Sequence, residues 1–524
     1  MKKLFQNAAA DIPASVVVFL VALPLCLGVA LGSNAPLFSG IIAGVVGGTV
    51  IGLLSGSNLS VSGPAAGLTA IVAVAIGKMP AYEAFVLAVV IAGALQILFG
   101  FLRAGVFGDF VPNAVIRGML AAIGIILILK QLPHLVGFDK DFQGDEAFIQ
   151  IDRNNTFSEL IYSLNYISPA AVIIGLTSII ILLVWDLKFF KSKKIFKYIP
   201  GPLVVVVTGI LISEGLKNSG SSFVLAKNHL VGLPAATSFQ AFTHFFTFPD
   251  WQFLSNYHVW VTGLTIALVA SLETLLSIEA IDKLDPYKRR TPTNRELKAQ
   301  GVGNLVSGLL GGLPITSVIV RSSANLNAGA RTKLSTFLHG ALLLLSVYFI
   351  PGLLNLIPLS ALAAILIMTG YKLAKPAIFK ELLKKGYDQL IPFVITILAI
   401  LLTDLLIGIL IGMGFGLFFL IRSNFKSSVM VVNDKNKYLV RFRKDVSYLN
   451  KPIVKNKLES VPADSVVLID VTRADFIDKD IIDVINEFLH HAHLKNIRVE
   501  LKKSQYKTDH QLFINQAEFN EKAA

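Results

Sequence analysis

Two charged residues stand where a membrane-spanning chain tolerates charge least. Glu273 lies inside the apolar run GLTIALVASLETLLSI, and Arg321 inside the segment 311–327, GGLPITSVIVRSSANLN. A charge at the centre of a spanning helix costs roughly 2.5–3.5 kcal/mol on insertion scales, so an intramembrane ionisable residue is a functional candidate by default. A carboxylate there can carry a proton or ligate a cation, and a guanidinium can draw an anion. The plainer alternative is a buried ion pair in which each neutralises the other. Ser277 follows Glu273 at i+4 on the same helix face and adds a hydroxyl beside the carboxylate, which favours a coupling or gating role. Glu279 lies near Asp282 and Lys283 and reads as a solvated residue at the membrane surface.

The elements that carry these residues break the rules of a spanning helix. A full span needs about 20 apolar residues, whereas segment 311–327 opens with Gly311, Gly312 and Pro314, and its helix is expected to begin only near Thr316. A second broken stretch, NLSVSGPAAGLTAIVAVAI at 58–76, is interrupted at Ser62, Gly63 and Pro64, with a helix expected from Ala65. Irregular backbone at membrane depth is tolerated where it is buried in protein or lines a cavity. Two such elements in two halves point to inverted repeats, with exposed amides and helix dipoles able to hold an anion between them. Thr69, Thr316 and Ser317 offer hydroxyl donors to an oxyanion, although lone Ser and Thr residues often satisfy helix backbones instead.

Composition sets the class. With 54% hydrophobic and 15% charged residues and a mean hydropathy of +0.67, the chain reads as a polytopic α-helical protein of the lipid bilayer. Its formal charge of +13 does not indicate nucleic acid, because the basic residues fall in short turns between apolar runs. The clusters at 188–197, 283–298 and 372–385, with Lys2 and Lys3, mark the cytoplasmic side. Residues 12–31 read as a first span and not as a cleavable signal. Cys26 is the single cysteine, so neither disulfide nor thiolate metal cage is expected. His490, His491 and His493 read as a solvated helix face, not as metal ligands. The sequence holds no GxxxxGK[ST], nucleophile elbow or HExxH, which argues against an ATP-driven pump or a hydrolase, and no cofactor is expected.

Apolar elements fall near 12–31, 37–55, 62–78, 82–102, 115–137, 168–186 and 199–215, then near 259–281, 299–312, 315–329, 333–352, 353–371, 390–406 and 407–422. Seven per half forces the halves into opposite orientations, and the third of each is the broken one. The expected organisation is a transmembrane domain at 1–425, with repeats at about 10–216 and 258–423, and a soluble domain at 436–524. In that tail, strands are expected at 437–443, 465–470 and 496–501 and a helix at 479–493, a small α/β domain.

The motifs SVSGPAAGLTA (60–70), NRELKAQGVGNLVSGLLGGLPITS (294–317) and RSSANLNAGARTKLS (321–335) resemble the sulfate permease (SulP) family of anion transporters, along nearly the whole chain. The resemblance implies a uracil-permease-like fold of core and gate domains built from seven-plus-seven inverted repeats, and a homodimer. It implies an anion near Ala65, Ala66, Gly67, Val318 and Arg321, with Thr69 and Ser317 adding hydroxyls. It also implies a coupling site at Glu273, Ser277 and the backbone of Ser317, Val318 and Ile319. In sodium-coupled bicarbonate members the position of Glu273 is an aspartate, so glutamate favours H+ over Na+ as the coupling ion. Many members carry glutamine after the proline of the first element, where this chain has Leu25 after Pro24. The tail is similar to the STAS domain, abbreviated, with Asp478 followed by Lys479 and Asp480 where related antagonists carry a phosphorylatable Ser or Thr. A scaffold or docking surface for a cytoplasmic partner is expected there.

The expected function is secondary active import of a small inorganic oxyanion across a bacterial-type inner membrane by alternating access, with both termini cytoplasmic. Bicarbonate, sulfate and a small dicarboxylate stay open as substrates. The alternatives are a passive exchanger or channel of the same fold and a membrane sensor signalling through its soluble tail.

Overall fold

The computed structural model describes residues 7–64, 66–139, 155–187, 199–219, 223–233, 239–427, 429–507 and 509–513. Ala65, Lys2, Lys3 and the basic cluster at 188–197 lie outside them. The chain divides into two compact units, Met1–Phe415 and Gly416–Ala524.

In the first unit the first half supplies α1 (Ala8–Gly32), α2 (Leu37–Val46, continued through a wide turn Gly47–Ile51), strand β1 (Ser62–Pro64), α3 (Thr69–Lys78), α4 (Tyr82–Phe101), α5 (Asn113–Val136), the short α6 (Thr156–Ser163), α7 (Pro169–Trp185) and α8 (Gly201–Asn218). The second half supplies α9 (Tyr257–Leu284), α10 (Thr293–Leu309), β2 (Ile315–Ser317), α11 (Ile319–Asn327), α12 (Leu334–Phe349), α13 (Leu359–Leu373), α14 (Pro376–Lys385), α15 (Tyr387–Leu402) and α16 (Leu405–Ser427), which contains the boundary between the units. Among the described residues seven helices are long and apolar enough to cross a membrane, and four more are shorter and apolar. Leu211, Leu410, Leu417 and Phe418 stand exposed on such helices, as side chains facing lipid do.

The packing pattern repeats between the halves. The first element of each half lies against the fourth of the other, α1 on α12 and α9 on α4; the sixth lies against the fifth of the other, α7 on α13 and α15 on α5. Elements one to four of both halves form one group of helices and elements five to seven the other. Small residues permit the closest contacts. A Cβ on Gly301 would come within 2.6 Å of the Gly93 carbonyl oxygen, and one on Gly93 within 2.5 Å of the Leu305 nitrogen, so only glycine lets α4 and α10 approach this far.

Four boundaries differ from expectation: helix α3 begins at Thr69, after a tight turn at Ala66–Leu68, where a helix was expected from Ala65, and three others differ for physical reasons. The backbone at Thr316 is strand, not helix: β1 and β2 pair antiparallel with Ser62 opposite Ser317, Gly63 opposite Thr316 and Pro64 opposite Ile315. Each broken element thus supplies the backbone partners the other needs at membrane depth. Helix α10 starts at Thr293, six residues before the apolar run, because its first turns bury polar residues against protein rather than apolar residues against lipid. Helix α13 starts at Leu359 after Pro358, where the expected span began at 353.

The second unit is a four-stranded sheet in the order β3 (Val429–Asp434), β4 (Lys437–Phe442), β5 (Val466–Asp470), β6 (Arg498–Lys502), with α17 (Lys451–Glu459) and α18 (Lys479–His491). Strands β4, β5 and β6 run parallel, and β3 pairs antiparallel with β4. Val440, Phe442, Val467 and Ile469 of the sheet bury against Ile481 and Ile485 of α18. This α/β unit fits a STAS-like domain; β3 and α17 have no counterpart in the sequence-based expectation.

Candidate functional site

The crossing of β1 and β2 is held from α10 by polar side chains one helical turn apart. Asn304 donates to the carbonyl of Ile315 at 2.9 Å and accepts from its amide at 2.6 Å, and its remaining hydrogen goes to Gln96 of α4 at 2.7 Å. Gln300 donates to Ser62 Oγ at 2.7 Å and to Glu296 at 3.1 Å; Glu296 also accepts from Ser55 Oγ and the Gly56 amide. Glu296, Gln300 and Asn304 are all fully buried. These groups carry the site's geometry and were not singled out as site residues from sequence. Their signal is a polar stripe at i, i+4, i+8 on a helix of a membrane protein, which a buried scaffold requires.

Across the crossing, Ser60 and Ser317 share a hydrogen bond at 2.5 Å, the Ser317 amide donates to Thr274 Oγ1 at 3.2 Å, and the Val318 amide donates to the Val61 carbonyl at 3.0 Å. The amides of Ile319, Val320 and Arg321 come before the first bond inside α11, which Ser322 donates to the Val318 carbonyl at 3.0 Å. These are the donors a helix start leaves for a ligand. On the other side Ala66 and Gly67 form a tight turn before α3, and Thr69 opens that helix with its hydroxyl unpartnered.

Gly67, Glu273 and Ser277 meet on one small cavity, closed from the opposite group of helices by Met119 of α5 and by Leu405, Leu406 and Ile409 of α16. A Cβ on Gly67 would lie 3.2–3.3 Å from the Glu273 carboxyl group, so the glycine sets how closely backbone approaches it. The volume of about 20 Å³ suits a single water, for which about 10–15 Å³ suffices.

Arg321 does not line this cavity. It is fully buried, none of its three guanidinium nitrogens has a hydrogen-bond partner, and one of them presses on Gly63, where a Cβ would lie 2.1 Å away. The neutralising hydrogen-bonded pair with Glu273 is therefore absent in this conformation. His339 is likewise fully buried with both ring nitrogens unpartnered. Glu279 bonds Lys283 at 3.0 Å, away from the cavity.

The chain matches known proteins over most of its length. The model of the sulfate permease family matches residues 9–400. A putative sulfate transporter of Bacillus subtilis, YvdB, is 27% identical over 404 residues, covering 75% of this chain and 70% of that one. The bicarbonate transporter BicA of a Picosynechococcus species is 26% identical over 408 residues, 76% of this chain and 67% of that one. In three dimensions the transmembrane domain of a cyanobacterial BicA superposes with a TM-score of 0.52 at 24% identity, over 79% of this chain and 98% of that chain. The inward-facing structure of the murine anion transporter Slc26a9 superposes with a TM-score of 0.65 at 16% identity, over 94% of this chain and 85% of that chain.

Proposed function

The chain belongs to the sulfate permease family of transporters, and from that membership we propose that it imports a small inorganic oxyanion, bicarbonate or sulfate, by coupled secondary active transport. The observation that carries this reading is the cavity where Gly67, Glu273 and Ser277 of one helix group face Met119 and Ile409 of the other. The anion sits between the starts of α3 and α11, near Ala66, Gly67 and Thr69 on one side and Ser317 and Val318 on the other. Because the amides of Ser317 and Val318 are engaged, the first-turn amides of α11 are its backbone donors. Arg321, buried without a carboxylate partner, contributes positive potential from behind β1 instead of a direct contact, and in a low-dielectric interior that potential is weakly screened.

Glu273 couples the ion. With Ser277 and the backbone at Ser317 to Ile319 it carries H+, with Na+ the second choice. A protonated Glu273 leaves the excess charge of Arg321 to the anion, whereas an ionised one repels it, so anion and proton load together. Alternating access moves the group of elements one to four past the group of five to seven. A cavity fit for one water must widen when Met119 and α16 withdraw. We infer further an inner-membrane homodimer with both termini cytoplasmic, in which the STAS-like unit serves as a docking surface. The alternative is a passive exchanger in which Glu273 merely balances Arg321 through space, without the direct hydrogen bond that is absent here. Uptake by proteoliposomes under a proton or sodium gradient tests the reading, and flux indifferent to both gradients counts against it.

A further inference from the structure

A second cavity, of about 1210 Å³, lies at the basic end of the helix bundle. It exceeds the roughly 300–1,000 Å³ of ordinary small-molecule pockets and far exceeds what an inorganic oxyanion fills. One wall is the connection from α9 to α10, with Lys283, Lys288, Arg289 and Arg290. The facing wall comes from α5 and the connection from α13 into α14, with Arg117, Lys372, Lys375 and Lys385. Three carboxylates share the lining, and all are engaged. Glu279 bonds Lys283 at 3.0 Å, Glu381 is bridged by Arg117 at 2.9 Å and Lys385 at 2.7 Å, and Asp282 takes the amide and hydroxyl hydrogens of Thr291. Beyond the lining, Arg289 pairs with Asp285 at 2.7 Å and Lys372 with Asp186 at 3.0 Å. Lys288, Arg290 and Lys375 are left with no ion pair among the described residues, and all three are exposed; the Lys288 ammonium donates one hydrogen to the Lys283 carbonyl at 2.6 Å and keeps its other two.

Basic turns on one side of a membrane protein follow from its orientation. Orientation does not require that two groups of helices aim unpaired cations into one cavity, from walls that move relative to each other in transport. We propose that this vestibule is a separate anion site for a soluble polyphosphate, an inorganic triphosphate or the phosphate chain of a nucleoside triphosphate. The chain bridges Lys288 and Arg290 on one wall and Lys375 on the other, and it holds the two helix groups apart on that side. Bound there, it inhibits uptake. The inhibition rests on the transport reading above, whereas the binding does not.

The test is calorimetric titration of inorganic triphosphate into the purified full-length chain in neutral detergent, at about 0.15 M salt so that weakly screened surface attraction is suppressed. Saturable binding is expected, weakened at least tenfold by Lys375→Glu and by Arg290→Glu and less by Lys375→Gln and Arg290→Gln. The unliganded variants should keep the parent's melting temperature, and any reversal that does not is replaced by its glutamine form. Absence of saturable binding, or binding indifferent to all four substitutions, overturns the site. A nucleoside triphosphate competing with similar affinity supports recognition of the phosphate chain, and a requirement for the nucleoside overturns it. In proteoliposomes, triphosphate on one side of the membrane should cut uptake of labelled anion, with the effect lost in both reversals. Uptake unaffected by bound triphosphate overturns the inhibitory role. No uptake under any condition, with binding intact, supports the site and counts against the transport reading alone.

Discussion

Glu273 and Arg321 stand at similar depth in the sequence pattern yet in different surroundings, and their substitutions should separate accordingly. Glu273→Gln removes the ionisable carboxyl but keeps its shape, so uptake should continue down the anion gradient and cease to follow a proton gradient. Measuring accumulation with and without an imposed pH difference checks this; accumulation that still follows the gradient removes Glu273 from the coupling role. Arg321→Met keeps much of the side-chain volume and deletes the charge. It should weaken anion binding roughly tenfold, about 1.4 kcal/mol, read as a rise in KM with little change in the melting temperature. Unchanged affinity would show that the guanidinium supplies no potential to the site. That Glu273 and Ser277 share one helix face was legible in the sequence, because i, i+4 spacing and a charge amid apolar residues are local signals; that Gly67 of a distant element meets them was not. The direction of Arg321 was not. A helix beginning at Ile319 instead of Thr316 puts Arg321 in the first turn, and three residues of register turn a side chain by about 300° around the axis.

At the scale of elements, the strand pair and helix α10 stand or fall together. Asn304→Leu strips the Ile315 amide and carbonyl of their side-chain partner, and each buried unsatisfied group costs about 1–3 kcal/mol. A melting temperature lowered by several degrees and impaired uptake are expected, and a variant as stable and active as the parent would show that the crossing does not depend on α10. The broken elements were readable from Gly and Pro at membrane depth. Their pairing as β1 and β2 was not, since three-residue strands leave no periodicity and depend on a partner about 250 residues away. A second element-level device joins the end of α5 to the loop after α8. His134 and His229 each meet one oxygen of Asp139 at 2.6 Å. Burial raises the Asp139 carboxyl, but hydrogen bonds and charge from the two imidazoles outweigh it and hold the group below the ordinary carboxylate range. A carboxyl lowered on folding stabilises above its unfolded pKa, and that stability fades as pH falls through the folded value. Asp139→Asn should therefore cost about 1.5–3 kcal/mol of stability at neutral pH per charge-assisted bond lost, read as a lowered melting temperature. The gap between variant and parent should close as pH drops below about 4. A gap independent of pH would assign the loss to packing instead of charge.

For the whole molecule, the division into two helix groups follows from the repeated packing of α1 on α12 and α9 on α4 within one group and of α7 on α13 and α15 on α5 within the other, which no single segment of sequence displays. Seven apolar elements per half were enough to infer inverted repeats, but which helices neighbour which was set by small residues such as Gly93 and Gly301, whose partners lie far away in the chain. The α/β tail was legible because its strands and α18 carry short, regular apolar patterns. Deleting residues 437–524 should leave anion flux within a few-fold of the parent if the membrane unit is the transporter. Loss of flux in a variant that still inserts and melts normally would make the STAS-like unit part of the transport machinery. The most direct test of the central claim is uptake of labelled bicarbonate and labelled sulfate into proteoliposomes holding the full chain, with proton and sodium gradients imposed one at a time. Accumulation of one of these anions driven by one gradient, most simply the proton gradient, is the predicted result. Flux of either anion that ignores both gradients, or no flux of either, would contradict coupled oxyanion transport.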